Sequence, residues 1–287
     1  MKNLWELLNV RESLVKFLRE DIGSGDITSD CLIAPDLHSQ AQIICKNKKS
    51  AVVCGLEEAA LVFDLCGCNT KTLVSDGLWV QKGIAVMIIE GKTRSILKAE
   101  RTALNMIMRM SGIASETRYI KDAIEDLTDS ITIASTRKTA PGLRFFDKKA
   151  VTIGGGSSHR IRLDDMILIK DNHLAITSSV TKSVEIAKEK AGSSIAIECE
   201  SKNFDEVIEA ITAGADIVML DNFSPEQAGK IMREISRIGL RKKVKIEISG
   251  GITMQNIRDY AKELPDIISV GFLTHSSKAI DFSLEII

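Results

Sequence analysis

The segment 135–173 is rich in positively charged residues and contains three consecutive glycines. It contains STRKT at 135–139, GGGSSHR at 154–160 and DDMILIKDNH at 164–173. From Arg137 to His173, eight Lys or Arg residues and two His residues accompany four Asp residues, although the whole chain has a formal net charge of −1. Cationic side chains next to glycine N–H groups are typical of anion sites. The segment therefore predicts a site for a small anionic ligand.

Two acidic residues at the ends of successive strand-like runs, Glu200 and Asp221, add a different chemistry. Their carboxylates could bind a divalent cation or the hydroxyl groups of a sugar, or they could form ion pairs with nearby lysines. His159 stands next to Arg160, which favours donation to an anion over the role of a general base. His173 is interpreted as a satisfied histidine in the core or behind the site.

Glycines follow two consecutive strand-like runs near the C-terminal end. Ser249-Gly250-Gly251 follows one run and Gly271 follows the next. Such glycines let backbone N–H groups approach a phosphate, or they simply permit tight turns between strand and helix. The P-loop pattern is absent, and GSGD at 23–26 follows no strand, so neither a P-loop nor a dinucleotide fingerprint is supported.

Six short β-branched runs that end in polar residues organise the second half of the chain. They are ITIASTRK (131–138), MILIKDNH (166–173), SIAIECES (194–201), DIVMLDN (216–222), VKIEISGG (244–251) and DIISVGF (266–272). Helical patterns separate the later runs, which predicts a parallel sheet covered on both faces, as in an α/β barrel. Barrel sites lie at the C-terminal strand ends. This chain places there Arg137, Lys138, Lys170, Glu198, Glu200, Asp221, Ser249 and Gly271.

The first hundred residues have a different pattern. Strand-like pieces such as AQIICKN and IAVMIIEG surround the helical EEAALVFDL, and a long helix is predicted from about Thr93 to Leu127. The predicted fold class is α/β, with an N-terminal α+β domain at 1–108 and a C-terminal α/β barrel at 109–275. The tail at 276–287 is a candidate addition to the first domain.

Composition limits the classes of function. With 44% hydrophobic and 27% charged residues the chain is typical of a globular protein, and its pI near 6.5 argues against nucleic acid as a partner. The start MKNLWELLNVRE lacks a signal-peptide pattern, and no apolar stretch is long enough to predict a membrane span. The six cysteines lie mostly in apolar runs, which favours buried thiols over a metal site and fits the reducing cytoplasm.

Several motifs along the chain resemble those of one known enzyme family. The stretch STRKTAPGLRFFDKKAVTIGGGSSHRIRLDDMILIKDNH (135–173) closely resembles the signature of the quinolinate phosphoribosyltransferases, also called carboxylating nicotinate-nucleotide pyrophosphorylases. EDIGSGDITSD (20–30) and ERTALNMIMRMSGIAS (100–115) resemble two earlier motifs of that family. IECES, MLDN, EISGGI and VGFLT follow in family order. The departures are small: TAPG has a smaller residue than expected, and two serines fill a variable position before the histidine.

The resemblance implies a fold and a reaction. The fold is an incomplete TIM-like barrel of the type II phosphoribosyltransferases. In the reaction, quinolinate and phosphoribosyl pyrophosphate (PRPP) give nicotinate mononucleotide, pyrophosphate and carbon dioxide in NAD synthesis, with Mg²⁺ as cofactor. Both substrates are polyanions, which suits the local positive charge. Two alternatives stay open: a paralogue linked to molybdate-transport genes that acts on another substrate, and a non-catalytic barrel that binds a phosphosugar.

The resemblance also implies roles for individual residues. The quinolinate carboxylates would be held by Arg101, Arg137, His159 and Arg160. The catalytic groups would be Lys138 and Lys170 between the two ligands, with Glu200 and Asp221 facing the ribose and its Mg²⁺, either directly or through water. The rest of the substrate site, including the phosphate end, would be formed by Thr136, Ser249, Gly250, Gly251, Gly271, Phe272 and His275.

Arg101 raises the question of the oligomer. On the predicted helix, Leu97, Arg101, Leu104 and Met108 share one face, and an unpaired arginine inside an apolar stripe is costly if it is buried. The arginine could snorkel to solvent. The resemblance implies instead a homodimer with shared active sites, in which Arg101 enters the neighbouring subunit's quinolinate pocket. Assembly beyond the dimer is left open.

Overall fold

The computed structural model describes residues 4–128, 130–192 and 194–287, with side chains from residue 9 onward. The chain forms two compact units, Met1–Glu116 together with Ser277–Ile287, and Thr117–Ser276. The boundary expected at 108/109 therefore lies eight residues before the observed division. The physical reason is that one continuous helix, Thr93–Asp122, crosses it without a change in composition. That helix ends five residues before the predicted Leu127.

The first unit is an α+β arrangement. Its helices are α1 (Leu4–Ile22), α2 (Ile27–Leu32), α3 (Leu56–Leu65) and most of α4 (Thr93–Asp122). Its strands are β1 (His38–Cys45), β2 (Ala51–Val52), β3 (Asn69–Thr72), β4 (Trp79–Val80), β5 (Ala85–Lys92) and, from the C-terminal tail, β12 (Phe282–Ile286). Four of them form a sheet in the order β12-β1-β5-β3, and β2 pairs with β4.

The C-terminal tail completes the sheet of this unit. Strand β12 pairs antiparallel with β1, and the N–H of Ile280 donates to the carbonyl of Met108 at 3.0 Å. A Cβ atom at Gly112 would lie 2.1 Å from the carbonyl oxygen of Lys278. Glycine is therefore required at this position, because any side chain would push the tail away from α4.

The GSGD motif forms a turn that starts a helix. Gly23 and Gly25 have φ values of +56° and +152°, which favour glycine. Asp26 is the N-cap of α2, and its Oδ1 accepts from the N–H of Ser29 at 3.0 Å. The motif thus has a structural function in the first unit.

The second unit confirms the predicted α/β class. Its strands are β6 (Thr132–Ala134), β7 (Ile167–Ile169), β8 (Ile197–Ser201), β9 (Ile217–Asp221), β10 (Lys245–Ser249) and β11 (Ile267–Ser269). Its helices are α5 (Arg144–Ile153), α6 (Asp171–Thr177), α7 (Val180–Ala191), α8 (Phe204–Ala213), α9 (Pro225–Arg237), α10 (Ile257–Ala261) and α11 (Phe272–His275), with a short 3₁₀ turn at Arg241–Lys243. All strand pairs are parallel, in the order β6-β11-β10-β9-β8-β7. Within the described chain β6 and β7 are not paired with each other, so the barrel is incomplete.

The register of the parallel strands places their polar ends in rows. Asp221 on β9 aligns with Ser249 on β10, which aligns with Ser269 on β11. Two residues earlier along β9 and β10, Met219 aligns with Glu247, and Glu200 on β8 aligns with Met219. Since alternate residues of a strand share a face, both rows lie on the inner face at the C-terminal end of the sheet.

The six cysteines differ in how far they are buried. All six cysteines are free, and four are buried, whereas Cys31 is exposed and Cys66 is partly exposed, against the expectation for those two. Burial raises the pKa of the Cys68 thiol to about 11 and that of Cys199 to about 12, so both stay protonated.

Over the residues that the structure describes, no helix has the length and apolar character that crossing a bilayer requires.

Candidate active site

A cavity of about 320 Å³ lies at the C-terminal end of the six-stranded sheet. Residues from each of the six strands or the segment after it, and two residues of the loop 154–160, line it. They are Ser135, Thr136, Arg137, Lys138, His159, Arg160, Leu168, Lys170, Glu200, Met219, Asp221, Glu247, Ser249 and Ser269. Nine of the fifteen predicted substrate-binding residues are in this lining. The structure therefore brings most of the predicted set together in one unit.

One wall of the cavity is cationic. Arg137 has a buried Nε without a hydrogen-bond partner in the described chain. Arg160 uses two of its nitrogens on its own loop, since Nε donates to the carbonyl of Arg162 and Nη2 to that of Leu163, both at 3.1 Å. Burial and the neighbouring charge of Arg137 lower the pKa of Arg160. Unneutralised positive charge at this wall fits an anionic ligand.

The segment GGGSSHR is a loop bound to the end of β6. The N–H of Ser157 donates to the carbonyl of Ile133 at 2.8 Å, and the N–H of Ser135 donates to the carbonyl of Ser157 at 3.1 Å. A Cβ atom at Gly156 would lie 2.9 to 3.0 Å from three surrounding atoms, so the close approach of the loop requires glycine. His159 follows with φ +49°, a left-handed conformation that points its ring at the cavity floor.

Lys148 of α5, which was not predicted as a site residue, holds this loop in place. Its buried ammonium donates to the carbonyls of Ser135, at 3.1 Å, and Ser158. Burial, together with the charges of Arg144 and Arg137, lowers the pKa of Lys148 to about 8. The ammonium thus ties the loop to β6 next to the cationic wall.

An acidic pair lies at the floor of the cavity: Glu198, which the sequence placed at a strand end without a role, and Glu247, which the site prediction missed. Glu247 is 1% exposed and Glu198 is fully buried. The Nε2 of His159 lies 2.9 Å from Oε2 of Glu247 and 3.6 Å from Oε2 of Glu198. Burial and the charge of Glu247 raise the pKa of Glu198 to about 9, against the lowering effect of Lys170. A glutamate inside the apolar run VKIEIS is the signal that could have identified Glu247.

The predicted carboxylates occupy two adjoining positions. Glu200 forms an ion pair with Lys170 and also accepts from the N–H of Asp171 at 3.3 Å. Asp221 accepts from Nδ2 of Asn222 at 2.7 Å and lines the cavity. The ion-pair interpretation is therefore correct for Glu200, and both carboxylates still face the cavity.

His173 has a local structural role. Its Nδ1 accepts from the N–H of Lys170 at 2.9 Å and so caps the start of α6. The side chain is exposed, so His173 is not in the core, and its bond to the backbone of Lys170, a cavity residue, agrees with the alternative of a satisfied histidine behind the site. The N–H that it accepts belongs to the N-cap residue, as in the side-chain half of a capping box.

The predicted phosphate end adjoins the cavity. Gly250 and Gly251 directly follow Ser249 and have φ values of +97° and +62°, and a Cβ atom at Gly250 would lie 2.2 Å from Oδ1 of Asn222. A Cβ atom at Gly271 would lie 3.4 Å from Cδ of Lys138 and 3.3 Å from Nε2 of His275. Phe272 begins the four-residue α11, and His275 ends it with an exposed ring. The turn at Gly250 and Gly251 therefore requires glycine whether or not a phosphate binds, whereas Gly271 has φ −68° and only moderately close neighbours.

Arg101 belongs to the first unit and is not a lining residue of this cavity. Its side chain is 58% exposed, and its Nη2 lies 3.9 Å from Oε1 of Glu100. Leu104, on the same face of α4, is buried. The arginine head is thus accessible, and its assignment to a neighbouring subunit stays a prediction.

Comparison with known proteins agrees with this arrangement. The N-terminal domain model of quinolinate phosphoribosyl transferase matches residues 26–111, and the C-terminal domain model matches residues 113–285. A probable nicotinate-nucleotide pyrophosphorylase (carboxylating) of Methanocaldococcus jannaschii is 42% identical over 276 residues and covers 96% of each chain. A quinolinate phosphoribosyltransferase (decarboxylating) of Nicotiana tabacum is 37% identical and covers 94% of this chain and 80% of its own.

Solved structures give the same result. NadC from Streptococcus pyogenes is similar with a TM-score of 0.90 at 36% identity, and the match covers 98% of both chains. The nicotinate-nucleotide pyrophosphorylase from Francisella tularensis is similar with a TM-score of 0.89 at 39% identity, covering 97% of this chain and 96% of that one. With both domains matched in order, the chain belongs to the quinolinate phosphoribosyl transferase family.

Proposed function

We propose that the protein transfers the phosphoribosyl group of PRPP to quinolinate and releases pyrophosphate and carbon dioxide, giving nicotinate mononucleotide for NAD synthesis. One observation carries the proposal: a single cavity has a cationic wall and, on neighbouring strands, two carboxylates. A dicarboxylate and a pyrophosphate both need the cations. The carboxylates suit a sugar carbon that becomes positive during the reaction.

The cationic wall is proposed to bind quinolinate. Arg137, with its buried Nε free of partners in the described chain, and Arg160 with the nitrogen that its loop does not use, would each meet a carboxylate. A hydrogen bond to a charged group contributes about 1.5–3 kcal/mol. Lys138 and Lys170 would lie between the ligands and neutralise pyrophosphate as it leaves. The turns at Ser249–Gly251 and Gly271–His275 would hold the phosphate.

Asp221 and Glu200 are proposed to stabilise the transfer step. The ring nitrogen of quinolinate attacks C1′ as the bond from C1′ to pyrophosphate breaks, and positive charge develops on the ribose. A fixed carboxylate favours the transition state over the ground state, because the charge it stabilises is present only there. Asp221 lies on the inner face with one oxygen held by Asn222, so its direction is set before the substrates bind.

Mg²⁺ is proposed as the cofactor that accompanies PRPP. Asp221 provides a carboxylate oxygen at the cavity, and Glu200 is already engaged by Lys170 and Asp171, which suits a contact through water or through the ribose. Mg²⁺ takes one or two carboxylates together with phosphate oxygens and several waters, so this donor set fits it. When bound, the ion would offset the charge of the pyrophosphate oxygens.

Loss of carbon dioxide would follow ribosylation. Once the ring nitrogen carries the ribose, the pyridinium accepts the electron pair of the broken carbon–carboxylate bond, and the carbon then takes up a proton. The protein's part is to hold the second carboxylate at the cationic wall so that the ring keeps its orientation.

The decisive experiment supplies PRPP and Mg²⁺ with either quinolinate or nicotinate, and measures carbon dioxide and mononucleotide. Turnover with quinolinate, with one carbon dioxide for each mononucleotide, is the expected result. Turnover with nicotinate alone would assign a different substrate, and no turnover with either would leave a binding protein.

A further inference from the structure

The orientation of His159 restricts how it can meet a ligand. Its Nε2 lies 2.9 Å from Oε2 of Glu247, and its side chain is 12% exposed. Glu247 is buried beside Glu198, whose two oxygens have no hydrogen-bond partner in the described chain. Since Nε2 is used at the floor, Nδ1 is the ring nitrogen that can serve a ligand in the cavity.

The protonation of the ring then decides which ligand it can bind. An ionised carboxylate only accepts, so with Glu247 ionised the proton of this hydrogen bond is on Nε2. In a neutral ring Nδ1 would be an acceptor, and it would repel a substrate carboxylate rather than bind it. With Nε2 used at the floor, His159 can donate to an anion only through Nδ1, and only when both ring nitrogens carry a proton.

We propose that Glu247 is a positioning residue for the acceptor substrate: it holds Nε2–H of His159 and so orients the ring, whose Nδ1–H then donates to a quinolinate carboxylate. The inference rests on the proposed function. The ring lies between the carboxyl groups of Glu247 and Glu200 on one side and the positive charge of Arg137, Arg160 and Lys170 on the other. An anion that enters meets the N–H of His159 rather than the floor carboxylates.

A bound cation is the competing explanation for the same three residues. Ligand atoms of His159, Glu198 and Glu247 lie within 4.8 Å of one another. The 2.9 Å between Nε2 and Oε2 matches an N–H···O hydrogen bond. Two ligands on a tetrahedral Zn²⁺ with bonds of about 2.0–2.1 Å would be roughly 3.3–3.4 Å apart. The distance therefore favours a proton between the two side chains.

The test compares wild type with Glu247→Gln, which keeps the shape of the side chain and removes its charge. The KM for quinolinate should rise on the order of 10-fold, because a charge-assisted hydrogen bond becomes a neutral one. The KM for PRPP should stay within about 2-fold, since His159 is assigned to the other substrate. Glu247→Asp should recover part of the loss, and Glu226→Gln, an exposed residue of α9, should change neither constant.

Equal rises in both KM values, or a lower kcat alone, would overturn the proposal. If wild type turns over quinolinate but Glu247→Gln does not raise the KM for quinolinate more than the KM for PRPP, the role of Glu247 is rejected and the proposed function stands. If wild type is inactive, the proposed function itself is rejected. Metal analysis of the purified protein tests the alternative of a bound cation. A stoichiometric cation that remains after EDTA treatment of wild type and is absent from Glu247→Gln would establish a metal site instead.

A spectroscopic measurement on wild type stays informative if the variants fail to fold. The chain has four histidines, so ¹⁵N spectra of histidine-labelled protein contain few signals, and His159→Gln identifies the relevant one. With quinolinate bound, both nitrogens of His159 should appear protonated. A singly protonated ring in that complex would refute the proposal.

Discussion

At the scale of single residues, the cavity is defined by which charges neutralise each other. Three carboxyl groups and four Lys or Arg side chains line about 320 Å³. Glu200 pairs with Lys170, and Glu247 contacts His159. Arg137 keeps a buried nitrogen without a partner in the described chain. Because an unpaired buried donor is costly, the cavity is more stable when an anion occupies it.

Replacement of Asp221 tests the carboxylate that is proposed to face the ribose. Asp221→Asn should lower kcat by on the order of 10- to 100-fold, because it removes a charge that stabilises the transition state. The thermal unfolding temperature should not change, since the one described hydrogen bond of Asp221 is to Asn222 at the surface. Steady-state kinetics and a melting curve check both points.

The control for this variant is Asp205→Asn on the exposed face of α8. It carries the same chemical change away from the cavity. If Asp221→Asn keeps the kcat of this control, Asp221 is only part of the turn after β9.

Stability at different pH values tests the buried Glu198. Its pKa of about 9 lies above the usual 4.5, so between these values the folded protein keeps a proton that the unfolded chain has lost. The free energy of unfolding therefore falls as pH rises through this window, by at most about 1.4 kcal/mol per pH unit. Glu198→Gln mimics the protonated form, so its stability should fall less from pH 5 to pH 9.

Denaturant unfolding at pH 5, 7 and 9 measures this difference. Glu189→Gln, at an exposed position of α7, should follow wild type at every pH. Parallel curves for wild type and Glu198→Gln would mean that Glu198 ionises normally.

At the scale of elements, the site depends on the loop 154–160 being fixed to β6. Backbone hydrogen bonds connect Ser157 to Ile133 and to Ser135, and Lys148 adds two more to nearby carbonyls. The loop carries His159 and Arg160, so its position sets two of the proposed quinolinate contacts. Rigidity here comes from α5 and β6 rather than from the loop's own sequence.

Lys148→Met tests this support. The variant removes the donor of the buried Ser135 carbonyl and one of two donors of the half-buried Ser158 carbonyl, which should cost about 1–3 kcal/mol of unfolding free energy. The KM for quinolinate should also rise, because the loop loses an anchor, while the KM for PRPP changes less. Lys230→Met, on the exposed side of α9, supplies the matched change and should alter stability by at most about 0.5 kcal/mol.

Strand positions were predictable from the sequence, and the contacts between strands were not. Apolar runs such as DIVMLDN mark a buried parallel strand and its polar end, so Asp221 and Glu200 could be placed at one edge of the sheet. The link between His159 and Glu247 joins residues 88 positions apart and depends on register and on the loop's left-handed turn. No local pattern contains that information. Lys148 was missed because its neighbours in sequence are ordinary helix residues.

At the scale of the whole molecule, the predicted homodimer with shared sites concerns Arg101. Mixing inactive Arg101→Ala with inactive Glu200→Ala and allowing exchange tests it. A hybrid dimer would carry both lesions in one site and leave the other intact, so about a quarter of wild-type activity should return at full exchange. If hybrids form and activity stays absent, Arg101 acts in its own subunit.

The pairing of β12 with β1 has a consequence for how the protein is made. A ribosome releases the first unit's early strands long before residues 282–286, so the central strand β1 has an open edge throughout synthesis of the barrel. Open edges invite pairing with other chains. The barrel, by contrast, has all its residues once Ser276 has emerged. The unit that is translated first is therefore the last to be completed, and β1 presents an edge that can pair with other chains until residues 282–286 have emerged.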